Sequence, residues 1–134
     1  MKVLVVDGSR AVRDRLCEML HAIDFVEAVS QAESEGEAAE KLENGNLDVL
    51  ILDAKLKVGN GIRLLEHIRQ EEHSPSTIIL TNNPYPQYRE RCIGMGAEFF
   101  LDKSSDFVKI PDILLALNGK SSPGKDVVSN ERGR

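Results

Sequence analysis

LDVLILD, residues 47–53, is the stretch that decides the fold. It is apolar from Val49 to Leu52, without glycine or proline, and it stops on a carboxylate, Asp53. A run this short and this apolar predicts a strand over 47–52 covered on both faces. Three other runs share its form. KVLVV at 2–6 runs into Asp7, STIILT at 76–81 ends on Thr81, and AEFFL at 97–101 runs into Asp102 and Lys103. A fifth, weaker run, FVEAVS at 25–30, alternates apolar with polar as an edge strand does.

Helical patterns fill the intervals. Ser9 is a predicted N-cap for a helix over 9–22 with Val12, Leu16, Met19, Leu20 and Ile23 at helical spacing. Ser34 and Glu37 form an S-x-x-E capping box before Ala38, Ala39 and Leu42, and Asn44-Gly45-Asn46 ends that helix. Gly59-Asn60-Gly61 predicts a turn, followed by a helix carrying Ile62, Leu65 and Ile68. Pro86 opens a fourth helix that Gly94-Met95-Gly96 closes. Pro111 opens a fifth with Ile113, Leu114 and Leu117, and Phe107 and Ile110 are expected to pack just before it. Strands alternating with helices predict an α/β fold, a doubly wound five-stranded parallel sheet with five helices on its two faces.

The chain has 134 residues, one domain's worth, and is long enough to bury a core without disulfides or metals. The expected domain is 1–118. The composition changes after Asn118, and 119–134 is expected to be a disordered tail. The formal charge of −5 argues against a nucleic-acid-binding surface over the whole fold. No apolar run approaches the ~18 residues of a membrane span, and no signal peptide is evident. Cys17 and Cys92 have no metal-like spacing, so the expectation is two reduced thiols in a cytoplasmic protein.

If the runs are neighbouring parallel strands, their carboxyl ends gather Asp7, Asp53, Thr81 and Lys103. Ligands bind at that edge of open α/β sheets. A carboxylate near an ammonium and a hydroxyl can bind a cation or act as a nucleophile. A structural ion pair is the plain alternative, and it explains one such residue more easily than four at four strand ends.

Those residues carry a resemblance. VLVVDGSRAVRDRL, DVLILDAKLKVGNGIRLLEHIR, IILTNN and GAEFFLDK, in that order, resemble the receiver domain of two-component response regulators over residues 2–118. The resemblance implies the flavodoxin-like form of the doubly wound fold. It implies that Asp53 is the phosphoacceptor, that Thr81 and Phe100 are switch residues, that Lys103 is the lysine paired with the phosphoryl oxygens, and that Gly61 is the loop glycine. Mg²⁺ held by Asp7, Asp53 and the backbone carbonyl of Lys55 is implied too. The implied partners are a histidine kinase or phosphotransfer protein and a separate output protein, with no nucleic acid and no membrane. The implied role is that of a stand-alone signalling module and not an enzyme.

The chain departs from the family in the acidic pair after the first strand. Asp7 is present, but Gly8 stands where the second, metal-binding carboxylate is expected. Weakened Mg²⁺ binding and slower phosphorylation follow as expectations. Lys55, two residues past Asp53, could offer an ammonium in partial replacement of the cation, against the plainer reading of a solvated surface lysine. Lys57 stands where the family often has proline, and Tyr85, Tyr88, Arg89 and Arg91 lie on a helix the family often uses for partners.

Gly8 also raises a second reading, a phosphorylation-independent pseudo-receiver that binds proteins. The retention of Asp53, Thr81 and Lys103 together argues against it. A flavin carrier would need a hydroxyl- and glycine-rich phosphate loop where DGSRAVRD has one serine and an acid. A phosphate-ester hydrolase would need a second carboxylate where LDAKL has none.

Overall fold

The computed structural model describes residues 1–56, 59–70 and 74–121. Five strands, β1 (Lys2–Val6), β2 (Ala28–Ala32), β3 (Val49–Asp53), β4 (Ser76–Thr81) and β5 (Phe99–Asp102), alternate with α1 (Arg10–His21), α2 (Glu35–Asn44), α3 (Gly61–Arg69), α4 (Pro86–Gly94) and α5 (Ile110–Ser121). All strand pairings are parallel, in the order β2-β1-β3-β4-β5. The weak alternating strand is at an edge, and LDVLILD supplies the centre, as its apolar character requires.

Each central strand buries both faces. On one side Val3, Val5, Val49, Ile51, Ile78 and Leu80 pack with Leu16 and Leu20 of α1 and Leu114 and Leu117 of α5. On the other, Leu4, Val6, Leu50, Leu52 and Ile79 pack with Ala38 of α2, Leu65 and Ile68 of α3 and Cys92 of α4. Phe107 and Ile110 are buried in the first of these clusters, as expected. Both cysteines are free and buried, and burial raises both thiols above the usual range.

Several boundaries move from their predicted places for local reasons. The second strand begins at Ala28 because Phe25 and Val26 are held in the turn before it. Phe25 O accepts a bond from the Met1 ammonium at 2.8 Å, and Val26 N–H donates to Ile23 O at 3.1 Å. The fifth strand begins at Phe99 because Ala97 N–H still bonds Cys92 O at the end of α4. Ser9 and Ser34 are side-chain caps as predicted, accepting from Val12 N–H and Glu37 N–H. Glu37 reaches one residue further back than a capping box places it, to Glu33 N–H. Helix α5 runs three residues past the expected domain end at 118, and the expected tail lies from 122 onward outside the described residues. Among the described residues no helix is long and apolar enough to cross a membrane.

Candidate functional site at the carboxyl edge of the sheet

The strand order reverses at β1, which lies between β2 and β3. Ligand crevices of doubly wound sheets open at this point. Val6 is in register with Leu52, so Asp7 and Asp53 emerge level from β1 and β3. Lys103 follows Asp102, the register partner of Thr81.

The structure brings three of the four predicted side chains into contact. Lys103 Nζ lies 2.6 Å from Asp7 Oδ2 and 2.9 Å from Asp53 Oδ2. All three are largely withdrawn from solvent, with side-chain exposures of 2% for Asp7, 10% for Lys103 and 12% for Asp53. One ammonium between two carboxylates leaves the cluster with one net negative charge. Burial works against the Lys103 charge, but the two carboxylates outweigh it and hold its pKa above the ordinary lysine value. For Asp53 the balance is opposite. Burial raises its pKa above the usual carboxylate value, Asp7 adds to the rise, and hydrogen bonds from Lys103 and from the Lys55 backbone N–H offset only part of it.

Backbone contacts fix both carboxylates. Asp7 Oδ1 accepts from Ser9 N–H at 2.8 Å, an Asx-type turn across Gly8. Arg13 of α1 donates to Asp7 O at 2.7 Å and to Gln31 Oε1 at 3.0 Å, tying the loop to β2. Asp53 Oδ1 accepts from Lys55 N–H at 3.1 Å. Lys55 therefore meets Asp53 through its backbone, and the ammonium that pairs with Asp7 and Asp53 is that of Lys103. Lys55 is an exposed lysine, the plainer of its two sequence readings. Lys57 lies outside the described residues.

Thr81 is 1% exposed, and its Oγ1 accepts from Asn83 N–H at 3.0 Å. The hydroxyl thus bonds the loop after β4, while the Thr81 backbone carbonyl accepts from Lys103 N–H at 2.8 Å. Phe100 is half-buried and meets Tyr88 of α4 edge to face, with ring centroids 6.0 Å apart.

A second set of contacts had no sequence signal beyond the predicted turn. Asn60 caps α3 through Oδ1, which accepts from Ile62 N–H at 2.8 Å and Arg63 N–H at 3.3 Å. Glu35, at the start of α2, accepts from Asn60 N–H at 2.9 Å and takes a forked pair of bonds from Arg63, the shortest 2.8 Å. Gly59 has φ +93°, and a Cβ there would lie 2.3 Å from Glu35 Cβ. A Cβ at Gly61 would lie 2.5 Å from Asp53 O. Gly59 is thus fitted against Glu35 of α2, and Gly61 against the backbone of Asp53 itself.

The residues suit a hard, oxygen-seeking cation. Asp7 Oδ2 is buried and accepts no well-formed hydrogen bond, its contact being the ion pair with Lys103. Among the described residues, however, no three His, Cys, Asp or Glu side chains are grouped to hold a metal. The donor set is two carboxylates, with Gly8 contributing no side chain.

A doubly wound parallel sheet in the order β2-β1-β3-β4-β5, with a carboxylate–ammonium cluster at its switch point, defines a flavodoxin-like α/β protein. More narrowly, the chain belongs to the response regulator receiver domain family, which it matches over residues 3–115. It is 25% identical over 132 residues to the sensory transduction protein LytT of Bacillus subtilis, covering 98% of this chain and 53% of LytT. Among solved structures, it is similar to the RcsB response regulator of Salmonella typhimurium (TM-score 0.79, 27% identity, 88% of this chain and 59% of that one). The receiver domain of the NarL response regulator from Mycobacterium tuberculosis has the same fold (TM-score 0.80, 23% identity, 88% and 96% covered). The chain spans about half the length of the LytT relatives it matches. Receiver domains are signalling modules that work with kinases and outputs, and they generally bind Mg²⁺ where they are phosphorylated.

Proposed function

We propose that Asp53 accepts a phosphoryl group from a phosphohistidine on a histidine kinase or phosphotransfer protein. The observation that carries this reading is the Lys103 ammonium set against Asp53 at the switch point, 2.9 Å away. An Asp53 carboxylate oxygen attacks phosphorus, the P–N bond breaks, and the electron pair stays on the imidazole nitrogen. Lys103 is placed to move from a carboxylate to the new phosphoryl oxygens. Charge–charge pairing survives that exchange because Asp53 loses its own charge on becoming an acyl phosphate.

Asp7, Asp53 and the Lys55 carbonyl would hold Mg²⁺, with water in the remaining positions. Bound there, the ion would offset the negative charge that gathers between carboxylates and phosphoryl group. Gly8 removes one ligand, so binding is weak and phosphorylation slow. With Asp53 modified, the Thr81 hydroxyl exchanges its bond from Asn83 N–H for a phosphoryl oxygen, and Phe100 repacks against Tyr88. The changed surface over α4, β5 and α5 signals to a separate protein partner in the cytoplasm, without nucleic acid.

Incubation with acetyl phosphate, with and without Mg²⁺, read by intact mass, tests this. A gain of one phosphoryl group, absent in Asp53→Ala, is expected. No gain from acetyl phosphate at high Mg²⁺ or from a phosphorylated histidine donor would leave the fold as a phosphorylation-independent binding module.

A further inference from the structure

Two depressions adjoin the loop after Asp53. One, of about 520 Å³, is lined by Lys55, Asn83, Tyr85, Gln87, Tyr88 and Arg91. The other, of about 400 Å³, is lined by residues 54–56, Gly59, Asn60 and Ile62 after β3 and by Tyr88 and Arg91 of α4, and so shares Lys55, Tyr88 and Arg91 with the first. Three shared residues make them two halves of one groove between the described residues that follow β3 (54–56 and 59–62) and α4.

The groove's composition is unlike that of the chain as a whole. The formal charge of the protein is −5, yet among the described residues the lining of each half has two cations, Lys55 and Arg91, and no carboxylate, the Asp53 charge acting on Tyr88 from outside the lining. The ammonium that meets Asp7 and Asp53 is that of Lys103, and Lys55 is exposed and lines both halves of the groove. Around the two cations stand aromatic and aliphatic side chains, including Tyr85, which is 63% exposed. Each half falls within the ~300–1,000 Å³ of small-molecule sites, where apolar walls surround a few convergent polar groups.

We propose that this groove binds a small organic anion, its phosphate or carboxylate head between Lys55 and Arg91 and a flat apolar body against Tyr88. The fit is to an amphipathic anion and not to a bare one, because Tyr85, Tyr88, Leu56 and Ile62 stand in the walls beside the cations and the amides of Asn60, Asn83 and Gln87. Such a ligand would touch two parts of the signalling site at once. Lys55 follows Asp53 by two residues and donates its N–H to Asp53 Oδ1, while the Tyr88 ring packs on Phe100. The binding itself does not require Asp53 to be phosphorylated.

The test is titration of phenyl phosphate into the full chain, wild type and Asp53→Asn, followed by two-dimensional amide NMR. Inorganic phosphate and phenol serve as the charge-only and ring-only controls. Expected are saturable shifts at residues 54–56 and 85–91, equal in both proteins, with phenyl phosphate at least about tenfold tighter than either control. Lys55→Ala and Arg91→Ala, at exposed positions that leave the core intact, should each weaken it by about tenfold. Equal affinity for inorganic phosphate, which means an adventitious ion only, would overturn the proposal. Shifts centred elsewhere, or no effect of either substitution, would do so too. Because Asp53→Asn cannot accept a phosphoryl group, loss of binding and loss of phosphorylation are read separately.

Discussion

Lys103 and Asp7 are paired at 2.6 Å although β5 and β1 are separated in the sheet by β3 and β4. The long lysine side chain crosses the carboxyl ends of both intervening strands and meets Asp53 on the way. This one contact joins the edge of the sheet to its switch point, and the expected consequences of substitution follow from it and from the loop beside it.

Lys103→Ala leaves two carboxylates in a largely buried pocket with no cation. Removing one partner from a buried pair costs about 3 kcal/mol, and urea unfolding in EDTA should show a loss of that order. Millimolar Mg²⁺ should restore part of it, since the metal then has no ammonium to displace. An unfolding curve that matches wild type in EDTA would show that the cluster carries no such strain.

Gly8→Asp restores a third carboxylate beside Asp7. Mg²⁺ affinity, followed by calorimetry, should rise at least about tenfold, as gains and losses of metal-site groups commonly do. Without the metal the same variant should be less stable than wild type, because a third negative charge joins a cluster with one ammonium. Unchanged affinity would mean that residue 8 does not face the cation site.

Gly61→Ala tests close approach and not backbone conformation, since only Gly59 and Gly96 have positive φ among the described residues. Its methyl group would meet Asp53 O at 2.5 Å and Ala54 O at 2.8 Å, both backbone atoms that cannot rotate away. A destabilisation of about 1–3 kcal/mol is expected, together with slower phosphorylation of Asp53. Wild-type stability and rate together would refute the close fit.

Glu35→Gln should show its effect only above acid pH. The hydrogen bonds from Arg63, foremost, and that from Asn60 N–H hold the Glu35 pKa below its ordinary value. A carboxyl group whose folded pKa is depressed stabilises the fold above its unfolded pKa, about 4.3, and that contribution is lost as pH falls through the folded pKa. Thermal midpoints of variant and wild type should therefore differ at pH 7 and converge below the folded pKa. A constant difference across that range would assign the effect to shape and not to charge.

The fold and the principal site were legible in the chain to different depths. The centre of the sheet showed in LDVLILD because a strand buried on both faces has no polar side to display, and the edge strand showed in its alternation. The polar residues at four strand ends showed as a set because parallel strands bring their carboxyl ends to one edge. Strand β2 was misplaced by three residues because Phe25 and Val26 have strand-like composition but are held by the N-terminus and Ile23, contacts that no local pattern encodes. The Glu35 clamp had no signal, since a glutamate at the start of a helix reads as a dipole-favoured residue whatever it touches.

The sequence by itself determined the element order, the doubly wound class and the residue types at the carboxyl edge, because these depend on periodicity and on near neighbours in the chain. Only the tertiary structure decided which ammonium neutralises Asp53. Lys55 is two residues away and Lys103 is fifty, but Lys55 meets Asp53 through its backbone while the turn after β5 aims Lys103 across the strand ends. Proximity along the chain says little about side-chain reach once five strands share one edge. That geometry is fixed by register and sheet order, which belong to the fold as a whole.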